Sequence, residues 1–290
     1  MTCLSARSLE ALLCDEPAAK ITATRRLLAD WREGALELAG PAIEPARAIP
    51  VPGRPARPAL VAPRQLKSRG LGSVQGRASL LHAVSHIEFN AINLALDAVY
   101  RFRGLPWAFY DDWLAVAADE ARHFEMLSAR LGELGYHYGD FPAHDGLWAA
   151  ACNTAHSCLE RMALVPRVLE ARGLDVSPQM ILRLRDAGDQ ASARLIEIIL
   201  EEEVAHVAAG SRWFNHCCQR QGLDPEATFL DLIRRHALRI LRPPFNQEAR
   251  RRAGFSEAEQ LGLACLLAES GSMDKAGPTA AAPVLARSTD

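Results

Sequence analysis

Two stretches decide how this chain reads: ADEARHFE (118–125) and EEEVAHVA (201–208). Each holds a Glu-x-x-His motif, Glu120 with His123 and Glu203 with His206. At 3.6 residues per turn, positions i and i+3 share a helix face, so each motif offers one carboxylate and one imidazole in a common direction. A lone glutamate precedes each motif at a matched interval: Glu88 lies 32 residues before Glu120, and Glu170 lies 33 before Glu203. The neighbours are apolar, with Ala117, Ala121, Phe124 and Leu127 around the first motif and Ile199, Leu200, Val204 and Val207 around the second. Four carboxylates buried in such surroundings without a cation would be very costly. Two divalent ions would offset their charge. A glutamate from each of two helices, with Glu-x-x-His from each of two others, is the ligand set of carboxylate-bridged two-metal bundles. The expected ligands are Glu88, Glu120, His123, Glu170, Glu203 and His206, with Glu120 and Glu203 bridging and Glu88 and Glu170 terminal. Carboxylates with neutral imidazoles suit Fe, Mn or Zn, and iron is the expected pair, with manganese as the alternative.

Working outward, apolar residues at helical spacing predict a first helix over 79–103, carrying Glu88, and a second over 106–135. Gly104-Leu105-Pro106 is the turn. Glu88 and Glu120 each lie about 15 residues from it, some 21–24 Å at 1.5 Å per residue, hence level on an antiparallel pair. The second half is less regular. A third helix is expected from about Leu147 through Glu170 to Gly173, with a break at Gly173–Pro178, a helical segment over 178–185, and a fourth helix over 189–221. Glu160, nearer the middle of the third helix, competes with Glu170 for the terminal position. Further helices are expected at 224–241 and 256–270, and one near the N-terminus at 8–34. Alternating β-branched runs bounded by turns are absent, so the chain reads as all-α.

Seven prolines fall between Pro41 and Pro63, which excludes regular helix there. No acidic residue lies between Glu44 and Glu88, whereas Arg47, Arg54, Arg57, Arg64, Lys67, Arg69 and Arg77 do. Residues 35–75 therefore read as a basic arm lying over the bundle, either as surface charge on a wrapping segment or as a contact for RNA or an acidic partner. The domain reading is an N-terminal helix and arm (1–75), a four-helix unit (76–222), a helical extension (223–270) and a disordered Ala/Pro/Gly/Ser-rich tail (271–290).

The 290 residues carry a formal net charge of -2, which gives no global field toward nucleic acid or membrane. Seven cysteines without a Cys-x-x-Cys suggest no disulfide framework and fit a reducing cytoplasm. The first ten residues hold no signal-like apolar run, and no stretch is long enough to span a bilayer. Nucleotide loops, a Gly-x-Ser-x-Gly elbow and His-Glu-x-x-His are all missing.

The other polar residues carry weaker readings. His82 and His86 read as structural, His144 as fixing the GDFPAHDG loop (139–146), and His156 as core or pocket lining. Asp119 reads either as the outer partner of a ligand histidine on another helix or as exposed charge. Glu201-Glu202-Glu203 also reads as a solvated acidic face. The five tryptophans read as packing.

The segments LLHAVSHIEFNAINLALDA (80–98), ADEARHFEMLSARLGELGYHYGDFPAHDGLW (118–148), RMALVPRVLEARGLD (161–175), EEEVAHVAAGSRWF (201–214) and PPFNQEARRRAGF (243–255) resemble the bacterial DUF455 family of the ferritin-like superfamily. The resemblance covers about residues 50–260. It implies a ferritin-like four-helix bundle with a di-metal site and no particular reaction. It favours Glu170 over Glu160, because Glu170-Ala171-Arg172 resembles the third-helix motif of the tRNA-hydroxylating branch. Three functions compete. The first is an O2-dependent oxidase or monooxygenase acting on a small or RNA-borne substrate and drawing on an electron donor. The second is an iron-handling or peroxide-scavenging protein. The third is a non-catalytic helical binding protein. A cytoplasmic homo-dimer is the accompanying expectation.

Overall fold

The structure is a computed structural model that describes residues 2–38, 46–67 and 69–275. Among them the regular elements are helices, apart from a two-residue parallel pair, Thr2–Cys3 (β1) with Leu36–Glu37 (β2), and a single bridge between Leu60 and Ala143. The all-α reading therefore stands. Among the described residues, no helix is long and apolar enough to cross a membrane.

The N-terminal helix expected over 8–34 is two helices, α1 (Leu4–Leu13) and α2 (Pro17–Arg32). Pro17 starts the second, where its missing N–H costs nothing. The Glu16 carboxylate caps it, accepting from the N–H groups of Ala18 at 3.1 Å and Ala19 at 2.6 Å. Lys20 joins these helices to the core. Its ammonium donates to the Ala11 and Leu12 carbonyls, at 3.1 and 2.7 Å, and to Asn93 Oδ1 at 2.7 Å. Burial pushes this amine down to about 7.

Helix α3 (Val74–Arg101) starts at Ser73, whose hydroxyl accepts from Gly76 N–H, and is followed by α4 (Trp107–Glu133). Gly104, at φ +72°, makes the turn between them. Every residue from Phe89 to Tyr100 is buried, so α3 is covered on all sides. It packs on α4, α1 and α5, while α2 covers α4.

The second half differs from expectation at three places. The helix expected from Leu147 to Gly173 breaks at Thr154–Ser157, giving α5 (Gly146–Asn153) and α6 (Cys158–Leu164). Ser157 caps α6 by accepting from Glu160 N–H. Next, Val165–Glu170 forms a π-helical turn, in which Ala171 N–H donates to the Pro166 carbonyl five residues back. Such a turn accommodates an extra residue and rotates the face of the helix that follows. Finally, the expected break at Gly173–Pro178 is absent, and α7 runs unbroken from Ala171 to Asp186. Pro178 lacks the N–H that would bond to the Leu174 carbonyl. That carbonyl instead accepts from Asn246 Nδ2 at 3.2 Å. A distant side chain thus satisfies the acceptor that proline leaves open.

Helix α8 (Gln190–Gln221) follows a short turn and ends at Gly222 in the left-handed region. The C-terminal part comprises α9 (Pro225–Leu232) with a π turn (Ile233–Ala237), α10 (Gln247–Arg252), which the sequence pattern does not announce, and α11 (Glu257–Lys275). The tail was expected from residue 271; α11 continues to Lys275, and 276–290 lie outside the described residues. Within the proline-rich arm, 39–45 and 68 likewise lie outside them. The described part runs against the helices. Tyr100 Oη accepts from Arg47 N–H at 2.9 Å, Ile49 carbonyl accepts from Trp148 Nε1 at 3.2 Å, and Ala59 and Val61 bond the Ala143 backbone.

Buried arginines hold the irregular half in place. Arg161 donates to Asp97 on α3 at 2.8 Å and to Ala151 carbonyl and Thr154 Oγ1 across the α5–α6 break. Arg167, in the π turn, donates to Glu259 at 2.7 Å and Ser211 at 3.1 Å, with its guanidinium 4.1 Å from the Phe229 ring centre. Arg250 forms a two-pronged pair with Asp175 of α7 at 2.9 and 2.8 Å. Gly210 of α8 leaves room for the same turn: a Cβ there would lie 2.4 Å from Pro166 Cγ.

Candidate metal centre

Each helix of the core delivers donors to one buried spot. Glu88 comes from α3, Glu120 and His123 from α4, Glu170 from the last position of the π turn, and Glu203 and His206 from α8. All six are buried, Glu170 least so at 9% exposure. Donor atoms of Glu88, Glu120, His123 and Glu203 all lie within 4.8 Å of one another. This cluster is able to hold a metal ion.

The imidazoles set the internal order. His123 turns Nδ1 inward, 3.3 Å from Glu88 Oε2 and 3.6 Å from Glu120 Oε2. His206 also turns Nδ1 inward, 3.0 Å from Glu120 Oε1 and 3.3 Å from Glu203 Oε1. Glu120 therefore sits between the two rings with one oxygen toward each. Its contacts are at ion-pair distance, yet neither of its oxygens is in hydrogen-bond alignment, and Glu170 Oε2 also lacks a hydrogen-bond partner. Buried carboxylate oxygens left in this state are rare in proteins and call for an explanation such as a bound ion.

Outward, the two rings are held reciprocally. His123 Nε2 lies 2.6 Å from Glu202, the residue preceding the second motif glutamate. His206 Nε2 lies 3.4 Å from Asp119, the residue preceding the first. Arg122 bridges both acids, pairing with Glu202 and with Asp119 at 3.4 Å. Each motif thus orients the histidine of the other, fixing which ring nitrogen faces the carboxylates. Of the two readings of Asp119, the partner role is the one the geometry supports. Glu202 was not singled out from sequence; its signal was its place immediately before a motif glutamate, the same place Asp119 occupies.

The protonation preferences reflect crowding of like charge. Burial, then the neighbouring Glu120, pushes Glu88 up to about 8. Burial, then Glu203 and Glu120, raises Glu170 well above the usual carboxylate range. Burial and Glu203 work against ionised Glu120, but His206 and His123 outweigh them and hold it low. Burial disfavours charge on His123, yet the adjacent carboxylates of Glu120 and Glu88 hold it up at about 11. His206 is raised in the same sense despite its burial, by Glu203 and Glu120. Without a cation, protons and imidazolium charge must hold these carboxylates together.

The other candidates lie elsewhere. Glu160 sits in the first turn of α6, 3.2 Å from the exposed His156, away from the cluster. His156 is therefore not core; it lines a surface cavity with Arg101, Phe102 and Cys217, away from the glutamates. His82 Nε2 accepts from Gly139 N–H, His86 contacts Tyr138 Oη at 2.9 Å and His144 carbonyl at 3.1 Å, and His144 Nδ1 accepts from Gly146 N–H within its loop. The first two fasten α3 to that loop. Glu201 is exposed and pairs with Arg252, so the acidic-face reading of 201–203 holds for Glu201 alone.

An all-helical protein with a buried glutamate–histidine cluster is thus the class that the fold and site define. The chain belongs to the family described as "Protein of unknown function (DUF455)", which matches residues 13–261. It is 44% identical over 212 residues to an "Uncharacterized protein" of Haemophilus influenzae, a match covering 71% of this chain and 74% of that one. No solved structure matches it.

Proposed function

We propose that this chain is a ferritin-like di-metal carboxylate protein that holds two iron ions, or manganese in their place, and uses O2 to oxidise an organic substrate. The observation that carries the reading is Glu120, fully buried between two imidazoles with both oxygens lacking hydrogen-bond partners. In this reading Glu88 and His123 serve one ion, Glu170 and His206 the other, and Glu120 and Glu203 are shared. Six protein donors carrying four carboxylates match the charge of two divalent cations, and oxygen with imidazole suits iron or manganese.

When bound, such a pair would supply redox chemistry toward O2. The chain's own part is structural and electrostatic. Glu202 and Asp119 fix the histidine tautomers, and Arg122 keeps those two acids ionised at the outer face. The apolar shell of Ala117, Ala121, Phe124, Val204 and Val207 keeps bulk water away from the carboxylates. Reducing equivalents would come from a separate donor, since no disulfide-type or cofactor-binding pattern appears in the sequence.

The test is elemental analysis of protein purified without added metal, alongside Glu170→Ala and Glu160→Ala. Two ions per chain in the parent, retained in Glu160→Ala and reduced in Glu170→Ala, is the expected result. O2 uptake on adding Fe(II) to metal-free protein is the accompanying signal. Absence of metal from every form, and no metal uptake on titration, would overturn the proposal.

A further inference from the structure

A cavity of about 380 Å³ is walled by the arm, α3, the loop after α4, the π turn, α7 and the segment leading into α10. Its apolar walls include Ile87, Phe141, Val168, Leu169, Ile240 and Phe245. Ile87 immediately precedes Glu88 and Leu169 immediately precedes Glu170, so the cavity is walled by the same two elements that carry the lone glutamates, while none of the six metal-site candidates lines it.

Its polar lining is one-sided. Lys67, Arg69, Arg172, Arg242 and Arg250 border it, and among the described lining residues Asp175 is the sole carboxylate. Asp175 is already engaged by the two-pronged contact from Arg250. Arg172 donates to the Arg242 carbonyl at 2.6 Å, and Arg69 donates to Ser79 while its guanidinium lies 5.4 Å from the Phe141 ring centre. These contacts orient the guanidinium groups, and only Arg172 also comes within ion-pair range of Asp175, at 3.8 Å. Arg250 is itself buried, and its Nη1 has no hydrogen-bond partner. Five cations share one lining carboxylate, Asp175, which Arg250 grips and Arg172 approaches at 3.8 Å. This excess of positive charge on a concave apolar surface is an arrangement that favours a ligand with a negative head and a hydrocarbon body.

We propose that this cavity binds a small amphipathic organic anion, with its carboxylate or phosphate at Lys67, Arg69, Arg172 and Arg242 and its apolar body along Ile87, Val168 and Leu169. That the bound anion is the substrate rests on the two-metal reading above; that it binds does not. The volume lies at the lower end of the ~300–1,000 Å³ typical of small-ligand sites, which suits one chain or one ring system and not a polymer. Part of the basic arm thereby gains a specific role, since Lys67 and Arg69 converge on a cavity instead of lining an extended track for nucleic acid.

The test uses the full chain and a pair of fluorescent probes that share their rings, anionic 8-anilinonaphthalene-1-sulfonate and uncharged N-phenyl-1-naphthylamine. The anionic probe should bind at one site per chain and be displaced by decanoate or decyl phosphate, but not by decanol. Whichever of the two competes better distinguishes carboxylate from phosphate heads. Lys67→Gln with Arg69→Gln, both outside the helices, should weaken the anionic probe about tenfold and leave the neutral one unchanged. Ile240→Trp, at an exposed wall position, should exclude both. Equal loss of both probes in the double variant, equal displacement by decanol, or displacement by a short oligoribonucleotide but not by decanoate would each overturn the proposal. Repeating the titration with Glu120→Ala separates the two readings. Probe binding that persists while metal is lost supports an independent anion site. A parent that binds metal but not the anionic probe removes this inference alone.

Discussion

The two halves of the glutamate–histidine cluster reach the same geometry by different means. In the α3–α4 half, a five-residue link with one positive-φ glycine joins two regular helices, and Glu88 and Glu120 meet because they lie equally far from it. In the α6–α8 half, Glu170 occupies the end of a π turn, behind a broken helix and ahead of one that contains a proline. Arg161, Arg167, Arg250 and Asn246, drawn from across the chain, hold that half in register. A regular hairpin needs only local rules to place a side chain. An irregular one needs long-range partners, and here the π turn and α7 also wall the cavity through Val168, Leu169 and Arg172.

The sharpest way to break this comparison is to remove the residue common to both halves. Glu120→Ala should abolish metal binding in both, whereas Glu88→Ala and Glu170→Ala should each leave about one ion, read by elemental analysis of equally folded samples. Arg167→Leu comes next, because it strands Glu259 in an apolar setting. A loss of about 3–5 kcal/mol is expected in urea unfolding, with the Glu170 half losing metal before the Glu88 half. Identical loss from both halves would mean that the π turn does not act locally.

Asp119→Ala and Glu202→Ala should each weaken metal binding by about 10–100-fold, the usual cost of removing the partner that orients a ligand histidine. The effects should be crossed: Glu202 on α8 governs the ion at His123, and Asp119 on α4 the ion at His206. Competition with a chelator, followed ion by ion, checks this. Gly210→Ala should cost about 1–3 kcal/mol, since its Cβ meets Pro166 in the π turn. An unchanged melting temperature would show that the turn has room to shift.

The mildest effect expected is a change in pH dependence. Glu88 is raised from 4.5 to about 8 and His123 from 6.5 to about 11, so the folded metal-free protein holds both protons more tightly than the unfolded chain. Their contribution is complete below the unfolded values and is lost as pH rises toward the folded ones. Melting temperature without metal should therefore fall between pH 6 and pH 8. With metal the sign should reverse, because ions bind by displacing those protons. Parallel curves with and without metal would contradict proton–metal competition at these residues.

Much of the first half was legible because it obeys short-range periodicity. Apolar spacing and Gly104 located both helices to within a few residues. The doubled Glu-x-x-His pattern drew attention to the four side chains whose donor atoms lie within 4.8 Å of one another, and the nearly equal 32- and 33-residue intervals pointed to Glu170 ahead of Glu160. Gly173 and Pro178 misled, since they are local helix breakers whose effect is cancelled by Asn246, about 70 residues away. Glu202 was hidden in a run of three acids that only the fold separates: Glu201 toward Arg252, Glu202 toward His123 and Glu203 into the cluster.

The sequence alone determined that the chain is helical and which carboxylates and imidazoles share a helix face, because the period of the α-helix converts spacing into direction. Only the tertiary structure decided that α7 continues through its proline, that each motif orients the other's histidine, and that the cations of a remote arm border a cavity walled by the elements carrying the lone glutamates. The first two depend on contacts between residues 72, 79 and 87 positions apart, and no local periodicity records them.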